Sequence, residues 1–130
     1  MAEQKALVIG QVASLRDALA ALLSSLIGVE AVGQASSPAA AVEMLRSGPA
    51  ALVVLDACSL PAGIAPDVVK EIRAASPQTR CAVLADDVPD WPGMGAPDAF
   101  MLLGTPAAEL RAIIGGLLSS HTSRSSLSRR

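Results

Sequence analysis

The chain has 130 residues, a formal net charge of −2 and a sequence pI near 5.2, a length that suits one domain with one core and a charge that argues against general nucleic-acid binding by the folded part. Hydrophobic residues make up 52% but aromatic ones only 2%, so the core must be built from Ala, Val, Leu and Ile, and aromatic stacking platforms for a substrate are nearly excluded. No stretch reaches the roughly 18 apolar residues of a membrane span. The start, MAEQKALVIG, lacks the extended apolar segment of a signal peptide, and two cysteines make no disulfide framework, so a reduced, cytoplasmic setting is expected.

Lys5 to Ile9 is a short apolar run ended by Gly10, which predicts a first strand. Leu15, Leu19, Leu22 and Leu26 recur at helical spacing, with Ser14 and Asp17 in the pattern of a capping box and Gly28 as the stop. Val29 to Val32 reads as a second strand; Ser37 as N-cap and Pro38 at the first helical position open a helix through about Arg46, closed by Gly48 and Pro49. The stretch Ala51 to Gly63, ALVVLDACSLPAG, is a run of branched apolar residues ending on a single carboxylate, Asp56. Such a run predicts a strand buried on both faces, which delivers Asp56 to the strand's carboxyl end, the edge where open α/β sheets collect ligands.

Pro66 opens a third helix with Val68, Val69, Ile72 and Ala75 facing inward, ended by Pro77. Cys81 to Ala85 and Ala99 to Leu103 read as the fourth and fifth strands, and Thr105-Pro106 introduces a last helix with Leu110, Ile113, Ile114 and Leu117 inward. Strands alternating with helices predict an α/β fold, a parallel sheet with helices on both faces. One interval breaks the rhythm: Asp86 to Asp98, DDVPDWPGMGAPD, is rich in proline and glycine and has no apolar stripe, so the fourth helix of such a fold should be shortened or replaced by a loop. Asp86, Asp87, Asp90 and Asp98 lie in it with no Lys or Arg between Arg80 and Arg111, which predicts an acidic patch at the same sheet edge as Asp56. Residues 1–118 are expected to form the domain and 119–130, SSHTSRSSLSRR, a disordered tail. Taking the tail's three arginines out of the net charge of −2 leaves −5 for the body.

Three stretches in order, ALVIGQVASLRDALAALL, LVVLDACSLPAG and DAFMLLGTPAAELRAII, resemble the receiver domains of bacterial response regulators, especially those of the nitrate-response and nodulation-regulator type. The resemblance covers nearly the whole body and implies a five-stranded flavodoxin-like sheet in the order 2-1-3-4-5. In a working receiver, an acidic pair after the first strand binds Mg²⁺ together with the phosphorylatable Asp; a Thr or Ser after the fourth strand and a Lys after the fifth contact the phosphoryl group. Those roles follow from the need to neutralise charge around a carboxylate that attacks a phosphoryl donor. By this resemblance Asp56 takes the phosphoacceptor position. The acidic pair is replaced by Gly10 and Gln11, the hydroxyl by Ala85 and the lysine by Leu103, and one extra residue stands between Asp56 and Pro61. The pattern is that of a pseudo-receiver.

Asp56 can then be read as an inherited surface carboxylate serving as loop cap or contact residue, as a phosphoacceptor, or as half of a cation site rebuilt with Asp86 or Asp87. Mg²⁺ is implied only under the last reading; otherwise no cofactor or metal is expected. Trp91, between Pro89 and Pro92, is either a lid over an apolar groove or an anchor for a partner, and Asp86, Asp87, Asp90 and Trp91 form the candidate interaction loop. Cys58 and Cys81 fall at opposite ends of adjacent strands, on the order of 15 Å apart, and are expected as free thiols. His121 has no second ligand nearby in sequence, and the tail serines could be phosphorylated or the tail could dock on an acidic partner. The chain shows no Gly-rich phosphate loop, Ser/His/Asp arrangement or clustered metal ligands, so no enzyme is expected. The expectation is a stand-alone pseudo-receiver that acts in signalling or transcription control through a protein partner or as a homodimer, without membrane or nucleic-acid contact by the folded domain.

Overall fold

Short β-branched runs bounded by Gly and Pro alternate with longer Ala- and Leu-rich ones, and the chain follows that alternation: β1 (Gln4–Ile9), α1 (Ala13–Ser24), β2 (Val29–Ala35), α2 (Pro38–Ser47), β3 (Leu52–Asp56), a single 3-10 turn (Ala57–Ser59), α3 (Ala65–Ala75), β4 (Arg80–Ala85), β5 (Ala99–Leu102) and α4 (Ala107–Leu127). The structure is a computed structural model that describes residues 4–26, 28–61, 63–86 and 96–127. The five strands are parallel and ordered β2-β1-β3-β4-β5. None of the helices is long and apolar enough to cross a membrane among the described residues.

Two apolar layers sandwich the sheet. Ala6, Val8, Leu52, Val54, Ala82 and Leu84 face α1 and α4, where Leu19, Leu23, Ile114 and Leu118 close over them. Their neighbours in sequence, Leu7, Ile9, Val53, Leu55, Cys81 and Val83, face α2 and α3 through Leu45, Val68, Val69 and Ile72. Strict alternation of side-chain direction along a strand explains why every residue of β3 and β4 is buried. The helix starts follow local chemistry: the Ser37 hydroxyl accepts the Ala40 N–H at 3.2 Å with Pro38 behind it.

Several expectations change in detail. The capping box at Ser14 and Asp17 does not form: Val12 is the N-cap, without a side-chain cap hydrogen bond, because the chain turns into the helix at Ala13 and carries both residues into its first turns. β2 continues past Val32 to Ala35, since pairing with Leu7, Val8 and Ile9 holds Gly33, Gln34 and Ala35 in register. β5 ends at Leu102; Leu103 belongs to the turn that Gly104 closes with a φ of 95°. The α4 backbone is helical to Leu127, beyond Ser119, where the tail is expected to begin; an established helix extends at one hydrogen bond per residue without a new nucleation cost. Between β4 and β5, Asp86 and Ala96 to Asp98 are non-helical, whereas residues 87–95 lie outside the described residues.

Candidate functional site

Parallel pairing brings the ends of β1, β3, β4 and β5 to one edge, and the residues singled out in the sequence meet there. β1 ends at Ile9 beside Leu55, so Gly10 follows level with Asp56. Asp56 pairs with Leu84, which sets Ala85 just beyond it, and the Leu103 N–H donates to the Ala85 carbonyl at 2.9 Å. Thus Gly10, Asp56, Ala85 and Leu103 share the carboxyl edge as expected. Asp87, Asp90 and Trp91 lie outside the described residues.

Asp56 is not a surface carboxylate. Its residue is 1% exposed, and its Oδ1 accepts the Cys58 N–H at 3.0 Å, capping the 3-10 turn that follows β3. The loop-cap role therefore holds while the surface position does not, because the carboxylate is folded back over its own turn and under the β1–α1 loop. A Cβ placed on Gly10 would stand 3.1 Å from the Asp56 Cβ and 3.3 Å from its Oδ2. A side chain at position 10 would therefore press on Asp56, which would have to yield by a few tenths of an ångström.

Arg16, one turn into α1, was not singled out by the sequence; its Nη1 donates to the Gly10 carbonyl at 2.7 Å and its Nε to Oε1 of Gln34 at 3.0 Å. It ties the β1–α1 loop to the next strand. Its only sequence signal was a charged residue inside an apolar helix pattern. Cys58, half-buried, lies against the Leu84 carbonyl at 3.8 Å. Burial, a hydrogen bond to the Asp86 carboxylate and the negative charges of Asp56 and Asp86 push its thiol up to about 12. Cys58 is therefore a neutral donor and no nucleophile near neutral pH. Cys81, in contrast, is buried three strand positions before Leu84 and points into the other layer, so the two free thiols stay apart.

Asp98 overturns one expectation. It precedes β5, whose first residue pairs with Ala82, so it sits beside Cys81 at the amino edge, the far end of the sheet from Asp56. Its Oδ2 accepts the Cys81 N–H at 2.8 Å, and its two oxygens face Arg80 Nη1 at 3.4 Å and Arg73 Nη2 at 3.5 Å. An acid immediately before an apolar strand carries no sign in sequence of which edge it will join.

The donor set does not suit the Mg²⁺ that a receiver would bind. Position 10 has no carboxylate, a side chain there would press on Asp56, one Asp56 oxygen is committed to its own loop, and among the described residues no group of three His, Cys, Asp or Glu side chains could hold a metal ion.

Neither a family model nor a curated protein sequence matches the chain. Solved structures do match. A receiver domain (CheY-like) of a response regulator from Methanospirillum hungatei superposes with a TM-score of 0.78 at 13% identity, over 95% of this chain and 99% of that one. The chain has the CheY-like receiver fold. A response regulator receiver protein from Sinorhizobium medicae is similar at 27% identity and a TM-score of 0.73, covering 92% of this chain and 97% of its own. A two-component response regulator of the LuxR family from Aurantimonas sp. gives 18% identity and 0.75, over 92% and 87%. On this receiver fold Asp56 ends the central strand, but the positions around it hold Gly10, Gln11, Ala85 and Leu103.

Four of the large hydrophobic residues left exposed, Val12, Ile64, Leu102 and Leu103, also lie on loops or strand ends at the receiver's carboxyl edge. Sequence patterns read Leu102 and Leu103 as the end of the fifth strand, with Leu103 at the lost lysine position, and assigned Val12 and Ile64 no role.

Proposed function

We propose that this receiver-fold domain acts in bacterial signalling through protein contact, as a pseudo-receiver whose output does not depend on phosphoryl transfer. The observation that carries the reading is the state of Asp56: 1% exposed, with Oδ1 held by the Cys58 N–H. A phosphoacceptor must present a carboxylate oxygen in line with the incoming phosphorus and must have its charge balanced. Here one oxygen, Oδ1, is held by its own loop. Alanine at position 85 offers no hydroxyl, and leucine at position 103 supplies no cation. The contact-based reading also fits the exposed apolar residues at this edge, where a phosphorylation pocket would be polar. It requires no cofactor and no catalytic residue, and by analogy with response regulators the partner is a protein, either a second chain or another component of the same signalling route.

Incubation with acetyl phosphate or phosphoramidate, with and without Mg²⁺, followed by intact-mass measurement tests the reading. No phosphoryl adduct is expected in either arm. An adduct that disappears in Asp56→Asn overturns it, and one that also requires Mg²⁺ would establish a rebuilt cation site around Asp86.

A further inference from the structure

Exposed Asp17, Asp67, Asp86 and Glu109 lie on the same carboxyl-edge loops and opening helical turns as the exposed apolar residues Val12, Ile64, Leu102 and Leu103. Arg16, at that edge, is engaged by Gly10 and Gln34. Neighbouring strands stand about 4.8 Å apart, so the loops after β1 and β5, three strand spacings from each other, place this apolar and acidic surface within roughly 15 Å. Favourable interaction with helix N-termini accounts for Asp67 and Glu109, each in a first helical turn. It does not account for four large apolar side chains in water beside them.

The complement of this surface is carried by the same chain. Residues Ser119 to Arg130 hold Arg124, Arg129, Arg130 and the apolar Leu127, and no acid. Their route is set by α4. It starts beyond the carboxyl end of β5 and packs back along the sheet through Ile114 and Leu118. By Arg111 its side chains already reach the other end of α1, where Arg111 Nε meets Ser25 Oγ at 3.1 Å. A helix of 21 residues is roughly 30 Å long, whereas the six residues of β4 span roughly 20 Å. The α4 backbone thus runs toward the amino side of the sheet, away from the molecule's own carboxyl edge.

We propose that the carboxyl edge of one copy of this chain receives the Ser119–Arg130 segment of a second copy, a head-to-tail contact between opposite charges. The proposal rests on the contact-based reading of the domain and names its surface and its occupant. Such a contact is heterologous, so the free head and free tail of each pair can recruit further copies. Charge complementarity of this kind is screened by salt.

Sedimentation velocity of the full chain over a concentration series tests it. At about 0.1 M salt the average mass should rise with concentration, and at about 1 M, where the Debye length falls from about 10 Å to about 3 Å, association should weaken by at least roughly tenfold. Leu103→Lys, at a residue 49% exposed, and the triple change Arg124→Glu, Arg129→Glu, Arg130→Glu should each abolish association alone, with unchanged circular dichroism. Mixed, they retain one intact head and one intact tail and should pair without growing further. A wild-type chain that stays monomeric at low salt, association indifferent to salt, or a triple variant that still associates would each overturn the proposal, the last by showing a self-complementary edge. The phosphorylation assay reads a separate property: an adduct on Asp56 removes the contact-based reading and leaves the sedimentation result standing.

Discussion

Gly10 and Asp56 are packed so closely that a Cβ on the glycine would lie 3.1 Å from the aspartate's Cβ and 3.3 Å from its Oδ2. The atom in the way belongs to the base of a side chain fixed on β3, between β1 and β4, and not to the free end of a flexible one. The glycine at position 10 and the buried carboxylate are thus packed against each other.

Gly10→Ala should therefore destabilise the fold by about 1–2 kcal/mol, the overpacking cost exceeding the gain from a less flexible unfolded chain. Gly10→Asp should cost at least as much. Urea unfolding of both variants checks this, and a neutral or stabilising alanine would show that β3 gives way.

The thiols set a stability limit at alkaline pH. Burial is the largest cause at both: Cys58 is pushed from 9.0 to about 12, and Cys81 to about 11, where Arg73 opposes the burial and Asp98 adds to it. Both folded values are raised, so the contribution is complete below about pH 9. Above it the unfolded chain loses protons that the folded chain keeps, and stability falls as pH rises toward 11 and 12. Chemical denaturation across pH 8 to 11 should show that decline. Alkylation of the native protein at pH 8 should be slow at both sites and rapid in denaturant.

Asp98 joins β4, β5 and two arginines at the amino edge. Arg80, whose side chain is 9% exposed, has Nε and Nη2 buried with no hydrogen-bond partner among the described residues, so its charge depends on Asp98. Asp98→Ala should cost about 3 kcal/mol, because it strands a buried cation and an N–H of β4. Asp98→Asn, which still accepts from Cys81 N–H, should cost less, and Arg80→Met combined with Asp98→Ala should recover part of the loss. A double-mutant cycle by thermal unfolding measures the coupling.

At α2, Ser37→Ala removes the one side-chain acceptor for the Ala40 N–H and should cost about 1 kcal/mol, with Ser37→Asp near neutral. Hydrogen exchange at the first turn of α2 should quicken in the alanine variant alone.

Much of the fold was legible because its signals are local. The apolar runs at Leu7, Val53 and Val83 needed no partner to be recognised as strands, and Ser37-Pro38 marked a helix start by its own chemistry. The Ser14 and Asp17 pattern misled because a capping box is defined by where the chain bends into the helix, and that bend is set by the β1–α1 loop, with Arg16 holding Gly10. Asp98 was assigned to the wrong edge because position within a proline-rich interval does not reveal which end of the interval meets the next strand.

Alternating strand and helix periods, with Asp56 at the end of one buried strand, were determined by the sequence alone, since periodicity and residue type are properties of the chain; the resemblance to receivers implied that this strand is central and that Gly10, Gln11, Ala85 and Leu103 flank it. The tertiary structure decided that Asp56 is buried under Gly10, that Cys58 faces Asp86, and that Asp98 locks Arg80 at the opposite edge. Burial and charge pairing depend on which distant segments arrive together, and parallel pairing of strands separated by whole helices brings them there.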